Sequence, residues 1–92
     1  MIRSWANSAT RQFAENDKNK FSGMDTEIAE DLLAALRAAT SLDDLSPLKS
    51  VGLHKLTGSR KGLWAMTING RWRLCFRFAD SDAWDVEIVD YH

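Results

Sequence analysis

The stretch from Leu63 to Phe78 constrains this chain most, because it reads as a β-hairpin with two chemically opposite faces. Asn69-Gly70 is a strong turn signal, since both residues tolerate the positive φ that a type I′ turn demands. Before the turn, Trp64, Met66 and Ile68 share one face; after it, Trp72, Leu74, Phe76 and Phe78 do the same at period 2. The alternate positions of the second strand are Arg71, Arg73, Cys75 and Arg77. One face therefore needs an apolar cover, and the other needs an anion.

The upstream chain can supply the cover. Ile2 to Trp5 alternates and reads as a short first strand. Asn7 or Ser8 can cap a helix running to about Asn16, with Phe13 turned inward. Asp17 to Gly23 is a polar loop in which Phe21 tucks in. Asp25 or Thr26 opens a second helix, where Ile28, Leu32, Leu36 and Ala39 repeat at helical spacing and Ala29 and Leu33 broaden the stripe. Asp25, Glu27, Glu30 and Asp31 crowd its first turns and Arg37 lies near its end, as the helix dipole favours. Ser41 to Leu45 adds one further turn, and Pro47 ends it. Leu53 to Leu56 is a short strand, Thr57 to Gly62 a basic loop, Asp80 to Asp82 a turn, and Ala83 to Val89 a last strand with Trp84, Val86 and Ile88 on one face. The result is one domain, residues 1–92, of the α+β class: two layers, with two N-terminal helices packed on a small, mostly antiparallel sheet. Trp64, Trp72, Phe76, Trp84, Ile88, Leu32 and Leu36 are expected to share its core.

Charge points to the cationic face. The 92 residues carry a formal net charge of −1, which does not suggest a polyanion partner. The distribution does. Lys49, Lys55, Arg60, Lys61, Arg71, Arg73 and Arg77 all fall between positions 49 and 77, and none of the 13 acids does. A polyanion responds to that local field, not to the total. The plainer account is a solvated face whose arginines pair with Asp85 and Glu87 on the next strand. The lone Cys75 can form no internal disulfide and no two-thiolate zinc site, so it reads as a strand residue. No apolar run is long enough to span a bilayer, and no basic-then-apolar leader is present, so a cytoplasmic protein without a membrane partner is expected. The acids of the second helix, with no His among them, are helix chemistry, and neither a metal site nor a cofactor is expected.

The chain ends Asp90-Tyr91-His92. By alternation Tyr91 shares parity with Asp85, Glu87 and Val89. If the last strand pairs antiparallel with the second hairpin strand, this end arrives near Arg71 and Arg73, with His54 two strands away at most. The open sheet face can then gather two imidazoles, a phenol and several guanidiniums. RNA cleavage by transesterification needs such a set: a base for the 2′-hydroxyl, an acid for the leaving 5′-oxygen, and fixed cations for the phosphate. Histidine suits either proton role near neutral pH, and the planar fork of arginine binds two phosphate oxygens.

His54-x-Leu56-x-Gly58-x-Arg60-x-Gly62-x-Trp64, then Asn69, Trp72-Arg73-Leu74-x-Phe76 and Val86 to His92, resemble the HigB-type toxins of the RelE superfamily, the plasmid maintenance killer proteins. The resemblance spans essentially the whole chain and implies a RelE-like fold. It also implies the toxin of a type II toxin–antitoxin pair, which enters the ribosomal A site and cuts messenger RNA during translation. The implied partners are the small ribosomal subunit with its message and a cognate helix-turn-helix antitoxin (HigA-like), with operator DNA met only through that antitoxin. Carried over by matching positions, His54, Arg73, Asp90, Tyr91 and His92 would form the active site. Arg60 would contact phosphate, with Lys55, Lys61, Arg71 and Arg77 as further RNA contacts. Some relatives carry a basic residue where this chain has Thr57, which shifts part of the substrate clamp to Lys55 or Lys61.

Two other classes explain part of the pattern. A basic module that binds RNA or the ribosome without cutting accounts for the cationic segment but leaves His54, Tyr91 and His92 without a purpose. A protein-interaction domain would use the cationic face to dock an acidic segment. Substituting His92 or Tyr91 separates them, since only the nuclease loses its effect while still binding.

Overall fold

A computed structural model describes residues 1–45, 52–58 and 61–90. Helix α1 (Ser8–Asn16) begins where the Asn7 side chain accepts from the Thr10 backbone N–H, and α2 (Thr26–Ala38) begins where Asp25 accepts from that of Ile28. Each cap satisfies an N–H that the helix itself cannot. A single 3₁₀ turn, Leu42–Asp44, follows α2 with Ser41 before it. The expected stop at Pro47 lies outside the described residues. Strands β1 (His54–Lys55), β2 (Trp64–Asn69), β3 (Trp72–Ala79) and β4 (Asp82–Asp90) form a four-stranded antiparallel meander in chain order. The fold is thus the expected α+β arrangement of two helices with a small sheet.

The core lies between helices and sheet. Phe13 of α1 and Leu32, Leu33 and Leu36 of α2 meet Met66, Ile68, Leu74, Phe76, Val86 and Ile88, all buried. Phe76 is fully enclosed, as the hairpin alternation requires. Trp64, Trp72 and Phe78 pack half-buried at the rim of the same core. Thr10 is the one buried polar residue among those described, and its hydroxyl accepts from the Ile88 backbone N–H at 3.0 Å, pinning α1 to β4.

Trp84 does not join this core. It pairs with Arg77 across the β3–β4 ladder, while its neighbour Ala83 is buried. The cause is a bulge: Asp85, with φ of 53°, and Val86 together oppose Phe76, which reverses the alternation between Ala83 and Val86. Aspartate tolerates the left-handed region better than most residues. Alternation read through Asp85 therefore misassigns Trp84 while placing Val86 and Ile88 correctly.

The first hairpin turn is also displaced by one residue. Asn69 still pairs, with Trp72, so the two-residue loop is Gly70-Arg71. Only Gly70 has positive φ there, as in a type II′ turn. A second bulge, at Ile68, turns Asn69 toward the helices. Its side chain accepts from the Asp25 N–H at 2.7 Å and donates to the Gly23 carbonyl at 3.1 Å, while Trp72 Nε1 donates to the Ser22 carbonyl at 3.0 Å. Asn69 thus ties the hairpin tip to the start of α2.

The second hairpin turn has positive φ at both central residues, Asp80 and Ser81. That is the I′ pattern, in which Asp-Gly is favoured over Asp-Ser. Ser81→Gly should stabilise the protein by ~1 kcal/mol, because a non-glycine residue in the left-handed region costs about that much. Thermal unfolding checks it, and an unchanged or lower midpoint would contradict the turn assignment.

Residues 1–6 form a parallel strap on the outer edge of β4. Ile2 bridges Ala83 and Trp5 bridges Val86, with the Asp85 bulge between them and the Ser4 hydroxyl accepting from the Asp85 N–H. Arg3 Nε donates to Asp82 at 2.8 Å and the terminal ammonium lies at 3.2 Å. The Arg3 hydrogen bond, helped by that ammonium, holds the Asp82 carboxyl below its ordinary pKa.

Candidate active site

In an antiparallel pair, directly opposed residues point to the same side of the sheet. One row across the sheet therefore holds His54, Ala65, Cys75 and Glu87, and the next holds Thr67, Arg73 and Val89. Both rows face away from the helices. His54 and Arg73 thus share the outer face, two strands and two residues apart, roughly 12 Å between Cα atoms on ordinary sheet spacings.

Between them the sheet is not bare. Leu56, Ala65, Cys75 and Val89 form a second buried apolar cluster with Leu63 packed against it, and Cys75 is 1% exposed. The expected open cationic face is therefore an apolar patch with charge at its margins. Small Ala65 and Cys75 occupy the positions between the imidazole and the guanidinium.

Arg73 is half-buried and held in place. Its Nη1 donates to the Gly70 carbonyl at 2.6 Å and to the Trp72 carbonyl at 3.1 Å. Those two bonds use both Nη1 protons and leave the parallel N–H groups of Nε and Nη2, the edge that binds two oxygens of one phosphate. Among the described residues no carboxylate pairs with Arg73. The plainer account of paired arginines holds for Arg77, which meets Asp85 at 3.5 Å, while Glu87 accepts from Asn7 at 3.2 Å. Among the described residues nothing pairs with the Nε–Nη2 edge of Arg73.

His54 is exposed, and its Nδ1 lies 2.8 Å from the Gly52 carbonyl. A carbonyl oxygen only accepts, so Nδ1 carries the proton and the lone pair of the neutral ring resides on Nε2. Gly52 sits at φ +61°. Its part in orienting His54 was not read from the sequence, where a glycine two residues before a histidine carries little signal.

The other candidates spread out. Asp90 opposes Trp72 and so has the parity of Ile88, toward the helix side. Its carboxylate meets Arg71 Nε at 3.3 Å, and the Arg71 guanidinium lies 5.6 Å from the Trp72 ring centre. Arg71 therefore occupies the sheet tip with Asp90, not the row of Arg73. Lys55 opposes Trp64 on the helix side, its ammonium 6.0 Å from that ring centre. Arg77 is at the far end of β3 with Asp85. Lys61 is exposed in the loop after β1, its N–H bonded to the Gly58 carbonyl at 3.1 Å. Arg60, Tyr91 and His92 lie outside the described residues. Among the described residues no three His, Cys, Asp or Glu side chains gather in a way that could hold a metal ion, and no helix is long and apolar enough to cross a membrane.

Residues 3–92 match the family model described as "RelE-like toxin of type II toxin-antitoxin system HigB". The chain is also 33% identical to the Endoribonuclease HigB of Proteus vulgaris, in an alignment covering 100% of both chains. The family match spans nearly the whole chain, including both outer-face rows and the residues that close it: the chain belongs to the HigB-like family of RelE-like toxins of type II toxin–antitoxin systems.

Proposed function

We propose that this toxin is an endoribonuclease that cuts messenger RNA in the ribosomal A site by acid–base transesterification. The observation that carries the reading is the pairing on one face of an imidazole with a defined lone pair, His54, and an anchored guanidinium with a free fork edge, Arg73. Arg73 holds the scissile phosphate and offsets the charge that builds on it in the transition state. A base takes the 2′-hydroxyl proton, the 2′-oxygen attacks phosphorus, and the bond to the 5′-oxygen breaks as an acid protonates it. Tyr91 and His92 follow Asp90 at the end of the last strand and supply the remaining proton donor. Asp90 contributes a negative charge beside them and a hold on Arg71. Arg60, Lys61, Lys55, Arg71 and Arg77 steer the RNA backbone from the margins.

As a type II toxin it has an antitoxin partner. We take that partner to be a small helix-turn-helix protein, HigA-like, through which alone the complex touches operator DNA. The other binding surface is the small ribosomal subunit, which places the protein in the cytoplasm. One anchored guanidinium can grip one phosphate but does not by itself impose the in-line geometry of attack, and such positioning is worth several orders of magnitude in rate. Primer extension on purified components should therefore show strong cuts on ribosome-bound message and few on the same RNA alone. Efficient cutting of naked RNA by the pure protein would refute the ribosomal half of this proposal.

A further inference from the structure

The geometry points to Gly52 as a positioning residue whose carbonyl sets the tautomer of His54 and so makes Nε2 the base of the reaction. The inference rests on the nuclease reading above and adds which nitrogen takes the proton and what holds it ready. The Nδ1–carbonyl separation of 2.8 Å is a full hydrogen bond. It excludes the alternative neutral tautomer, in which an unprotonated Nδ1 would face a carbonyl oxygen lone pair to lone pair. When Nε2 takes the 2′-hydroxyl proton the ring becomes an imidazolium, and the same bond becomes charge-assisted and stronger. The carbonyl thus stabilises the state that the step creates. The 2′-oxygen keeps the electron pair of its O–H bond and uses it to bond phosphorus, and the leaving 5′-oxygen takes its proton from an acid other than His54.

Backbone conformation delivers that carbonyl. Gly52 sits at φ +61°, in the left-handed region that a glycine enters freely and other residues enter at a cost. A Cβ there would lie 3.7 Å from Thr67 Oγ1, an ordinary contact. A Cβ at this position therefore fits, and what it disturbs is φ, hence the direction of the carbonyl. Asparagine tolerates this region better than alanine, and valine tolerates it least.

Two measurements on the intact protein test this. Nitrogen-15 NMR of imidazole-labelled protein should show the neutral ring of His54 protonated at Nδ1 and bare at Nε2. Ribosome-dependent cleavage should fall in the order wild type, Gly52→Asn, Gly52→Ala, Gly52→Val. The Gly52→Ala loss should be about 10-fold and in kcat, with KM unchanged, as for a misplaced reacting group. Partial recovery in Gly52→Asn relative to Gly52→Ala separates carbonyl aim from bulk, since asparagine is the larger side chain. Wild-type cleavage with His54 protonated at Nε2 overturns the inference and leaves the nuclease reading standing. Equal cleavage by all four proteins also overturns it. Absence of any cleavage by the wild type on ribosomes overturns the nuclease reading, and the inference falls with it.

Discussion

Arg73→Ala should lose ~100-fold or more of ribosome-dependent cleavage, the usual effect of removing one transition-state donor. Arg73→Lys should recover little of it. Lysine keeps the charge but has no parallel N–H pair. It also cannot satisfy the Gly70 and Trp72 carbonyls from one nitrogen while presenting two others to phosphate, as Arg73 is placed to do. Neither substitution should disturb the fold much, because Arg73 is half-buried and makes no ion pair among the described residues. Cleavage assays run alongside thermal melts separate activity from stability. Full activity in Arg73→Ala would sink the assignment of this residue to the phosphate.

Phe76→Ala should be the costliest single truncation for the fold. Phe76 is 0% exposed, on the inner strand β3, opposite Trp64 and in the core cluster to which both helices contribute. Removing a buried phenyl ring costs ~3–5 kcal/mol, against a total of about 5–15 kcal/mol for a domain of ordinary stability. Denaturant unfolding should show the midpoint falling with the slope unchanged. A loss under ~1 kcal/mol would mean the core had collapsed around the gap or was never centred there.

Much of this architecture is legible in the sequence because it rests on period and capping. The α2 stripe and the burial of Met66, Leu74 and Phe76 follow from side-chain spacing alone, and residue type narrows each helix cap to two neighbours, of which the structure uses Asn7 and Asp25. What escapes are the places where a strand gains a residue. The Ile68 bulge turns Asn69 from a turn former into a clamp, and the Asp85 bulge takes Trp84 out of the core. No local signal marks either, since a bulge answers to strand twist and to neighbours distant in sequence. The candidate site shows the same limit. That His54 and Arg73 share a face follows from strand parity, whereas the buried patch between them, the hold on Arg73 by Gly70 and Trp72, and the Gly52 contact depend on side-chain paths that alternation does not describe. Lys55 illustrates the risk of reading charge without parity, since it opposes Trp64 on the helix side while Arg73 lies on the outer face.

The strap of residues 1–6 has one further consequence, for the order in which the protein can assemble. Its backbone partners are Ala83 and Val86, almost the full length of the chain away. α1 is in the same position, because Thr10 waits for Ile88. These earlier-made segments therefore have no place to dock until the later strand β4 exists, and contacts of such long sequence separation form slowly. A nascent chain still attached to the ribosome that makes it lacks a closed sheet. A toxin built this way gains its folded form only after the strand holding Ala83, Val86 and Ile88 has been made.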